Sequence, residues 1–312
     1  MGEHVGGSVV IAGTRHHDDY SGTLMDVRHT YFIAEIGINH NGSIDTAQEL
    51  IRAAAAAGCD AVKFQRRDLT RVYSPEELAR PRESVFGATN GDLKRGLEFD
   101  TDGYRRLFEA SREAGVDCFA SVWDEASVEF MAQFKPPYMK VPSPLLGHHG
   151  LLRACRAAGV PVLMSTGGAD MEDVAAAVRT LGDVAGVMHC VSAYPCPDHH
   201  SNVRQMLTLR SELGVPVGYS SHETGPYAVF AATALGAEFL ERHITLDRTM
   251  WGSDQSVSTE PEELAAMVAG VRAIERSLGS SDVRRLPIEE PALVKLRRTS
   301  DYPVANPASS AR

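Results

Sequence analysis

The sequence predicts one parallel (β/α)8 barrel, and three observations predict it. A unit recurs in which a helical stretch closes in Ala-Gly or Leu-Gly and a short apolar run follows at once. Those runs are rich in Val, Phe and Leu without alternation, the pattern of a strand buried on both faces of a parallel sheet. Five runs follow such a glycine and three further apolar runs bring the count to eight, each followed by a helical stretch, within 312 residues, and a barrel of this kind takes about 250.

The elements follow in order. Tyr31–Ile36 is the first strand, and the helix Ile44–Ala57 ends at Gly58. Cys59–Gln65 is the second strand. The long polar stretch Arg66–Asp100 after it predicts a loop over the barrel mouth. The helix Tyr104–Ala114 ends at Gly115 and leads into Val116–Ser121. Asp124 suits the cap of a helix over Ala126–Gln133. Tyr138–Val141, the helix Leu151–Ala158, and Val160–Ser165 come next. Then follow the helix Met171–Leu181 and the strand Val187–Val191. The helix Val203–Leu213 precedes Val215–Ser220, and Pro226–Leu235 precedes Ala237–Ile244. Pro261–Ser277 closes the series. Glycine after a helix suits the left-handed turn that ends it. An open doubly wound sheet is the alternative, but no GxGxxG follows the first strand. The organisation read from this is an N-terminal extension over 1–30, the barrel over 31–277 and a C-terminal tail over 278–312.

Composition narrows the function. A 43% hydrophobic chain can bury one large core. A formal charge of −10 disfavours nucleic acid or an anionic membrane as partner, and any site for a phosphorylated substrate must be locally basic. Five cysteines without a CxxC pair are not a disulfide framework, which fits a reducing cytoplasm. Residues 1–30 lack an apolar signal core, and no run of about 18 apolar residues occurs. A cytoplasmic enzyme of small molecules is the expectation.

In a (β/α)8 barrel the active site lies at the C-terminal strand ends. Every predicted strand has a polar residue there. In order these are Glu35; Lys63 and Gln65; Ser121; Lys140 and Ser143; Ser165 and Thr166; Ser192 and Tyr194; Ser220, Ser221 and His222; and Glu241 with His243. Two lysines and several hydroxyls suit a phosphate and a carboxylate. His222 and His243, on neighbouring strand ends, suit a divalent metal with open positions. A glutamate across the mouth suits proton transfer or the positioning of a water. Each has a plainer reading: a strand lysine can simply pair with a glutamate, and Tyr194 can be packing. The pairs His148-His149 and His199-His200 sit in polar surroundings and read as surface features.

Eight motifs in order carry a resemblance. They are Ala34-Glu35-Ile36-Gly37-Ile38-Asn39-His40-Asn41-Gly42, Ala61-Val62-Lys63-Phe64-Gln65, Met139-Lys140-Val141-Pro142-Ser143 and Met164-Ser165-Thr166-Gly167-Gly168. Tyr194-Pro195-Cys196-Pro197, Val217-Gly218-Tyr219-Ser220-Ser221-His222, Glu241-Arg242-His243-Ile244-Thr245-Leu246-Asp247 and Gly252-Ser253-Asp254-Gln255 complete them. Over about residues 31–277 the chain resembles the sialic acid synthase family, whose members condense phosphoenolpyruvate with a sugar. The resemblance implies His222 and His243 as metal ligands, with Mn2+ first and Mg2+ or Co2+ as alternatives. It implies Lys63, Lys140, Ser143, Ser165 and Ser220 as phosphoenolpyruvate ligands, with Ser121 assisting. Glu35 is implied as the catalytic carboxylate, and Gln65, Tyr194 and Asp254 as acceptor contacts. The implied product is a 3-deoxy-2-keto sugar acid with free phosphate.

The chain also departs from the family pattern. Ser192 stands where asparagine is usual, and Ser221 where aspartate precedes the first metal histidine. Ser121-Val122-Trp123-Asp124 replaces a small residue followed by proline. The small C-terminal antifreeze-like domain common in the family is expected to be lacking, and with it an arginine that reaches the partner's sugar site. These differences point to a different acceptor or an altered lid. Family members of this kind are often homodimers. Two other functions remain open at this point. One is a Schiff-base pyruvate aldolase using Lys63 or Lys140, and the other a non-catalytic sugar-acid binder.

Overall fold

A computed structural model describes residues 29–297. The chain divides into two compact units, Met1–Leu278 and Gly279–Arg312. The expected extension over 1–30 lies, but for its last two residues, outside the described part.

The first unit is a closed barrel of eight parallel strands. They are β1 (Tyr31–Gly37), β2 (Ala61–Arg66), β3 (Asp117–Val122), β4 (Met139–Val141), β5 (Val162–Ser165), β6 (Gly186–His189), β7 (Val217–Ser221) and β8 (Phe239–His243). Each is followed by a helix: α1 (Ile44–Ala56), α2 (Thr101–Ala114), α3 (Glu125–Ala132), α4 (His149–Ala158), α5 (Met171–Leu181), α6 (Gln205–Leu213), α7 (Tyr227–Ala234) and α8 (Pro261–Leu278). The (β/α)8 expectation is borne out, and β1 closes the ring on β8. Gly115, Gly159 and Gly214 end their helices in the left-handed conformation that the recurring unit implied. Asp124 caps α3 by accepting the Ser127 N–H at 2.8 Å.

Strand period two sorts every side chain. Outward positions such as Phe32, Ala34, Val62, Cys118, Val141, Met164, Val217 and Leu240 join the helices in the main core. Inward positions stack in layers. The lower layer is apolar: Ile33, Ala61, Phe119, Leu163, Met188 and Phe239, all buried, with Tyr31 and Tyr138 packed against them. Aromatic edges tighten it, with ring centroids 5.6 Å apart for Tyr31 and Tyr138 and 5.8 Å apart for Tyr138 and Phe239. One strand step higher, the inward residues are Glu35, Lys63, Ser121, Lys140, Ser165, Ser220 and Glu241, with Cys190 just past the end of β6.

The stretch after β2 differs from a bare loop. It holds an antiparallel hairpin, Pro81–Ser84 with Gly87–Thr89, and short helices Leu69–Val72, Pro75–Ala79 and Asn90–Gly96. These are too short to show a hydrophobic period, and local capping starts them. Ser74 accepts the Glu77 N–H, and Thr89 and Asp92 form a capping box. Glu98 anchors the insert at its base, accepting Arg67 Nε at 2.9 Å. Among the described residues of the second unit, Glu290–Leu296 is helical after a short turn of 3-10 helix, Pro287–Glu289. Among the described residues no helix is long and apolar enough to cross a membrane.

Candidate active site

The mouth holds a cavity of about 360 Å³. Glu35, Lys63, Gln65, Ser121, Lys140, Ser143, Ser165, Ser192, Tyr194, Ser220, His222, Glu241, His243 and Asp254 line it, whereas Thr166 and Ser221, also at strand ends, do not. Ser192 and Tyr194 come from the loop after β6 rather than from a strand end. His148, His149, His199 and His200 are exposed and do not line it, as expected.

At the bottom lies a buried quartet of charges. Lys63 Nζ sits 2.6 Å from Glu35 Oε2, 3.7 Å from Glu241 Oε2, and donates to Ser121 Oγ at 2.8 Å. Lys140 Nζ donates to both oxygens of Glu241 at 2.7 Å, and Ser220 Oγ donates to Oε1 at 3.0 Å. Each lysine therefore has a carboxylate partner, so the plain pairing reading and the anion-binding reading meet in the same residues. The two glutamates differ. Burial raises both, but two ammonium groups flank Glu241 and hold it down at about 2. Glu35 is pushed up by burial to about 7, with Lys63 opposing. Lys63 stays raised despite its burial because Glu241 and Glu35 both face it, whereas burial lowers Lys140. The 2.6 Å contact to a raised lysine favours an ionised Glu35 in the resting site. Of the two glutamates, Glu35 is the one brought near neutrality.

Glu35 owes its placement to a bulge. The β1–β2 register shifts between Glu35 and Gly37, and Gly37 adopts φ +55°. A Cβ there would lie 3.0 Å from Glu35 Oε1 and 3.2 Å from Gln65 Nε2. Gln65 Nε2 donates to that oxygen at 3.2 Å. Gly167 is needed for a different reason. A Cβ on it would fall 2.2 Å from Ser192 Oγ, and its N–H donates to Ser143 Oγ at 3.0 Å.

The histidines form the other wall. Their ring centroids are 5.7 Å apart, and the Tyr194 ring lies against His222 at 4.2 Å, tilted by 39°. His222 Nδ1 meets the Val191 carbonyl at 2.7 Å, which leaves Nε2 free. His243 Nδ1 is buried and has no partner. Burial lowers both to about 4, so both rings are neutral and carry lone pairs at pH 7. This donor chemistry fits a divalent metal. Among the described residues no cluster of three or more His, Cys, Asp or Glu is placed to hold one. An ion here would rest on two imidazoles and keep open positions. Ser165 Oγ is likewise buried without a partner.

Among the lining residues not singled out are Arg67, Tyr73, Lys94 and Cys190. Arg67 and Cys190 continue the inward alternation of β2 and β6, a signal the sequence did carry. Lys94 lies on the short helix Asn90–Gly96 inside the mouth insert, and nothing in the sequence marks it.

A closed barrel with polar groups from its strand ends and the loop after β6 converging on one blind mouth defines an enzyme of small polar substrates. The chain belongs to the NeuB family, whose sequence model matches residues 50–283. It is 40% identical to N-acetylneuraminate-9-phosphate synthase of Mus musculus over 286 residues, covering 90% of this chain and 80% of that one. It is 32% identical to N,N'-diacetyllegionaminic acid synthase of Legionella pneumophila, covering 86% and 79%. Among solved structures it is similar to the N-acetylneuraminic acid synthetase of Leptospira borgpetersenii, crystallised with citrate. The TM-score is 0.76 at 28% identity, with 88% of this chain and 94% of that chain covered. The resemblance to sialic acid synthases is thus borne out, and the chain is an enzyme of that kind.

Proposed function

We propose that the chain condenses phosphoenolpyruvate with the open-chain aldehyde of an aldose or acetamido sugar, giving a 3-deoxy-2-keto sugar acid and phosphate. The observation that carries this is the pairing of two buried lysines and an unpartnered Ser165 hydroxyl with a neutral histidine pair in one cavity. Carbon 3 of phosphoenolpyruvate attacks the aldehyde carbon, and positive charge develops at carbon 2. Water adds there, and the tetrahedral intermediate releases phosphate by carbon–oxygen cleavage. Lys63, Lys140, Ser143, Ser165 and Ser220 hold the phosphate and carboxylate and fix the attack geometry. An incoming trianion competes for the lysines, so Glu35 is freed to take the proton of the attacking water. Gln65, Tyr194 and Asp254 face the acceptor. A divalent cation on His222 and His243, Mn2+ by resemblance, would supply Lewis-acid polarisation of the aldehyde.

A Schiff-base aldolase needs a neutral, mobile amine, and both lysines here are clamped to carboxylates. One feature favours a phosphorylated acceptor, in keeping with the name of the Mus musculus relative. Lys94 makes no ion pair among the described residues and lies 5.3 Å over the Tyr73 ring. Nearby, Arg67 lies 5.4 Å over Trp123, whose indole N–H is buried without an acceptor. The test is phosphate release from phosphoenolpyruvate with Mn2+ across free and 6-phosphorylated sugars, with and without chelator. Chelator-sensitive release with one sugar is expected. No release with any sugar would overturn the reading.

A further inference from the structure

We propose that Arg242 is a positioning residue that sets the spacing of His222 and His243 from behind the barrel wall. The inference rests on the reading of those histidines as a metal pair. His222 and His243 follow the inward alternation of β7 and β8, so the residue before each, Ser221 and Arg242, faces outward. These two are register partners across the strands. Elsewhere the outward positions of these strands are the apolar or aromatic Val217, Tyr219 and Leu240. A guanidinium only 1% exposed stands among them.

Its three donor groups go to three places. Nη1 donates to Ser221 Oγ at 2.9 Å, and Nη2 to the Thr224 carbonyl at 3.1 Å. Those acceptors lie one residue before and two residues after His222. Nε donates to Thr259 Oγ1 at 2.6 Å, and the Thr259 N–H in turn donates to the His243 carbonyl at 2.8 Å. One rigid, planar fork therefore binds both histidine-bearing segments, and its own backbone is the link next to His243. No carboxylate lies within ion-pair distance of it among the described residues. Glu223 faces it as a charge without direct contact and is linked to it through Ser221, whose hydroxyl donates to Oε2 at 2.7 Å, while Tyr219 OH donates to Oε1 at 2.5 Å. A buried cation in direct contact only with hydroxyl and carbonyl acceptors, its carboxylate one residue removed, gains little net stability over an apolar side chain. The arrangement instead pins the segment from Ser221 to Thr224 to β8 in a single geometry. A second brace holds the far side: His222 Nδ1 meets the Val191 carbonyl, and the Cys196 N–H donates to the His222 carbonyl at 2.9 Å.

The experiment measures Mn2+ dissociation constants by electron paramagnetic resonance on the full chain. The proteins compared are wild type, Arg242→Lys, Arg242→Met and Ser221→Ala, each checked for fold by circular dichroism. Phosphoenolpyruvate affinity, measured without metal, is the internal control. Arg242→Lys keeps the charge but not the fork, and a loss of Mn2+ affinity of about tenfold or more is expected. Ser221→Ala, a small change that keeps the core filled, is expected to lose several-fold, and phosphoenolpyruvate affinity to shift less than about twofold. Folded variants that bind Mn2+ as wild type does would overturn the proposal alone. Equal losses of Mn2+ and phosphoenolpyruvate binding would also overturn it, because they report general loosening. Wild type that takes up no Mn2+ would sink the metal reading and this proposal together.

Discussion

Replacing Glu241 by Gln should make the resting protein less stable and the phosphoenolpyruvate complex relatively more so. Glu241 is 4% exposed and takes both oxygens onto Lys140 at 2.7 Å, with Lys63 at 3.7 Å. At an effective dielectric of about 20, the Lys140 contact is roughly 6 kcal/mol of gross attraction. Desolvation offsets part of this, and breaking a buried pair costs about 3–5 kcal/mol. Gln keeps the size and one acceptor, so about 3 kcal/mol is expected, a fall in Tm of roughly 6–12 °C. The pH dependence has a definite sign. The folded carboxyl is depressed from 4.5 to about 2. Its contribution is present above about 4.5 and lost as pH falls toward about 2, so the gap between wild type and variant should narrow over that window. Saturating phosphoenolpyruvate should raise the variant's Tm more than wild type's, because the ligand no longer competes with a carboxylate for Lys140. Differential scanning calorimetry at pH 7, with and without ligand, measures both effects. A variant Tm within about 1 °C of wild type would show that the quartet is not held as described.

Three other perturbations test other parts of the molecule. With Glu35 near 7 and acting as a base, kcat/KM should fall as pH drops through about 7. Glu35→Gln should remove that limb and about 10²–10⁴-fold of the rate, and a retained limb would assign it to another group. Gly167→Ala pushes a methyl toward Ser192, Cys190 and Ser143, so the KM for phosphoenolpyruvate should rise while Tm stays within a few degrees. An unchanged KM would remove Ser143 from that subsite. Asp60 ties the barrel base, accepting Arg272 Nη2 and the Phe32 N–H, both at 2.8 Å. Burial raises it, but His29, Phe32 and Arg272 outweigh burial and hold it below 3.8. Asp60→Asn should cost about 1–3 kcal/mol above about pH 4, with the difference vanishing as pH falls below it; urea melts at pH 7 and pH 3 would show whether it does.

The barrel was legible because the strands are apolar runs without alternation, and five of them directly follow a glycine that ends the helix before. The edges were less so. Cys59-Asp60 and Val160-Pro161 look like strand, yet β2 and β5 start at Ala61 and Val162. Asp60 is spent on the clamp to Arg272, and Pro161 gives its carbonyl to Met139 with no N–H of its own. The candidate site was legible through parity, since Lys63, Ser121, Lys140, Ser165 and Glu241 share one inward layer. The same parity would have reached Arg67 and Cys190. Lys94 was out of reach, because the mouth insert is built from caps and a hairpin rather than from any hydrophobic period. Ser221 was visible as a strand-end hydroxyl and a departure from the family pattern, Arg242 only as a member of a motif, and their shared work needs the register between β7 and β8.

The apolar layer beneath the quartet has a consequence for the order of events. Tyr31, Phe119, Tyr138 and Phe239 close the barrel below the charges, so the pocket is a cul-de-sac. Reactants and products share one doorway under the mouth insert. For the proposed condensation, depth becomes sequence: the molecule that rests on Lys63 and Lys140 enters before the sugar and leaves after whatever stands above it. Phosphate would then queue behind the sugar acid, and free phosphate in solution would compete with phosphoenolpyruvate rather than with the sugar.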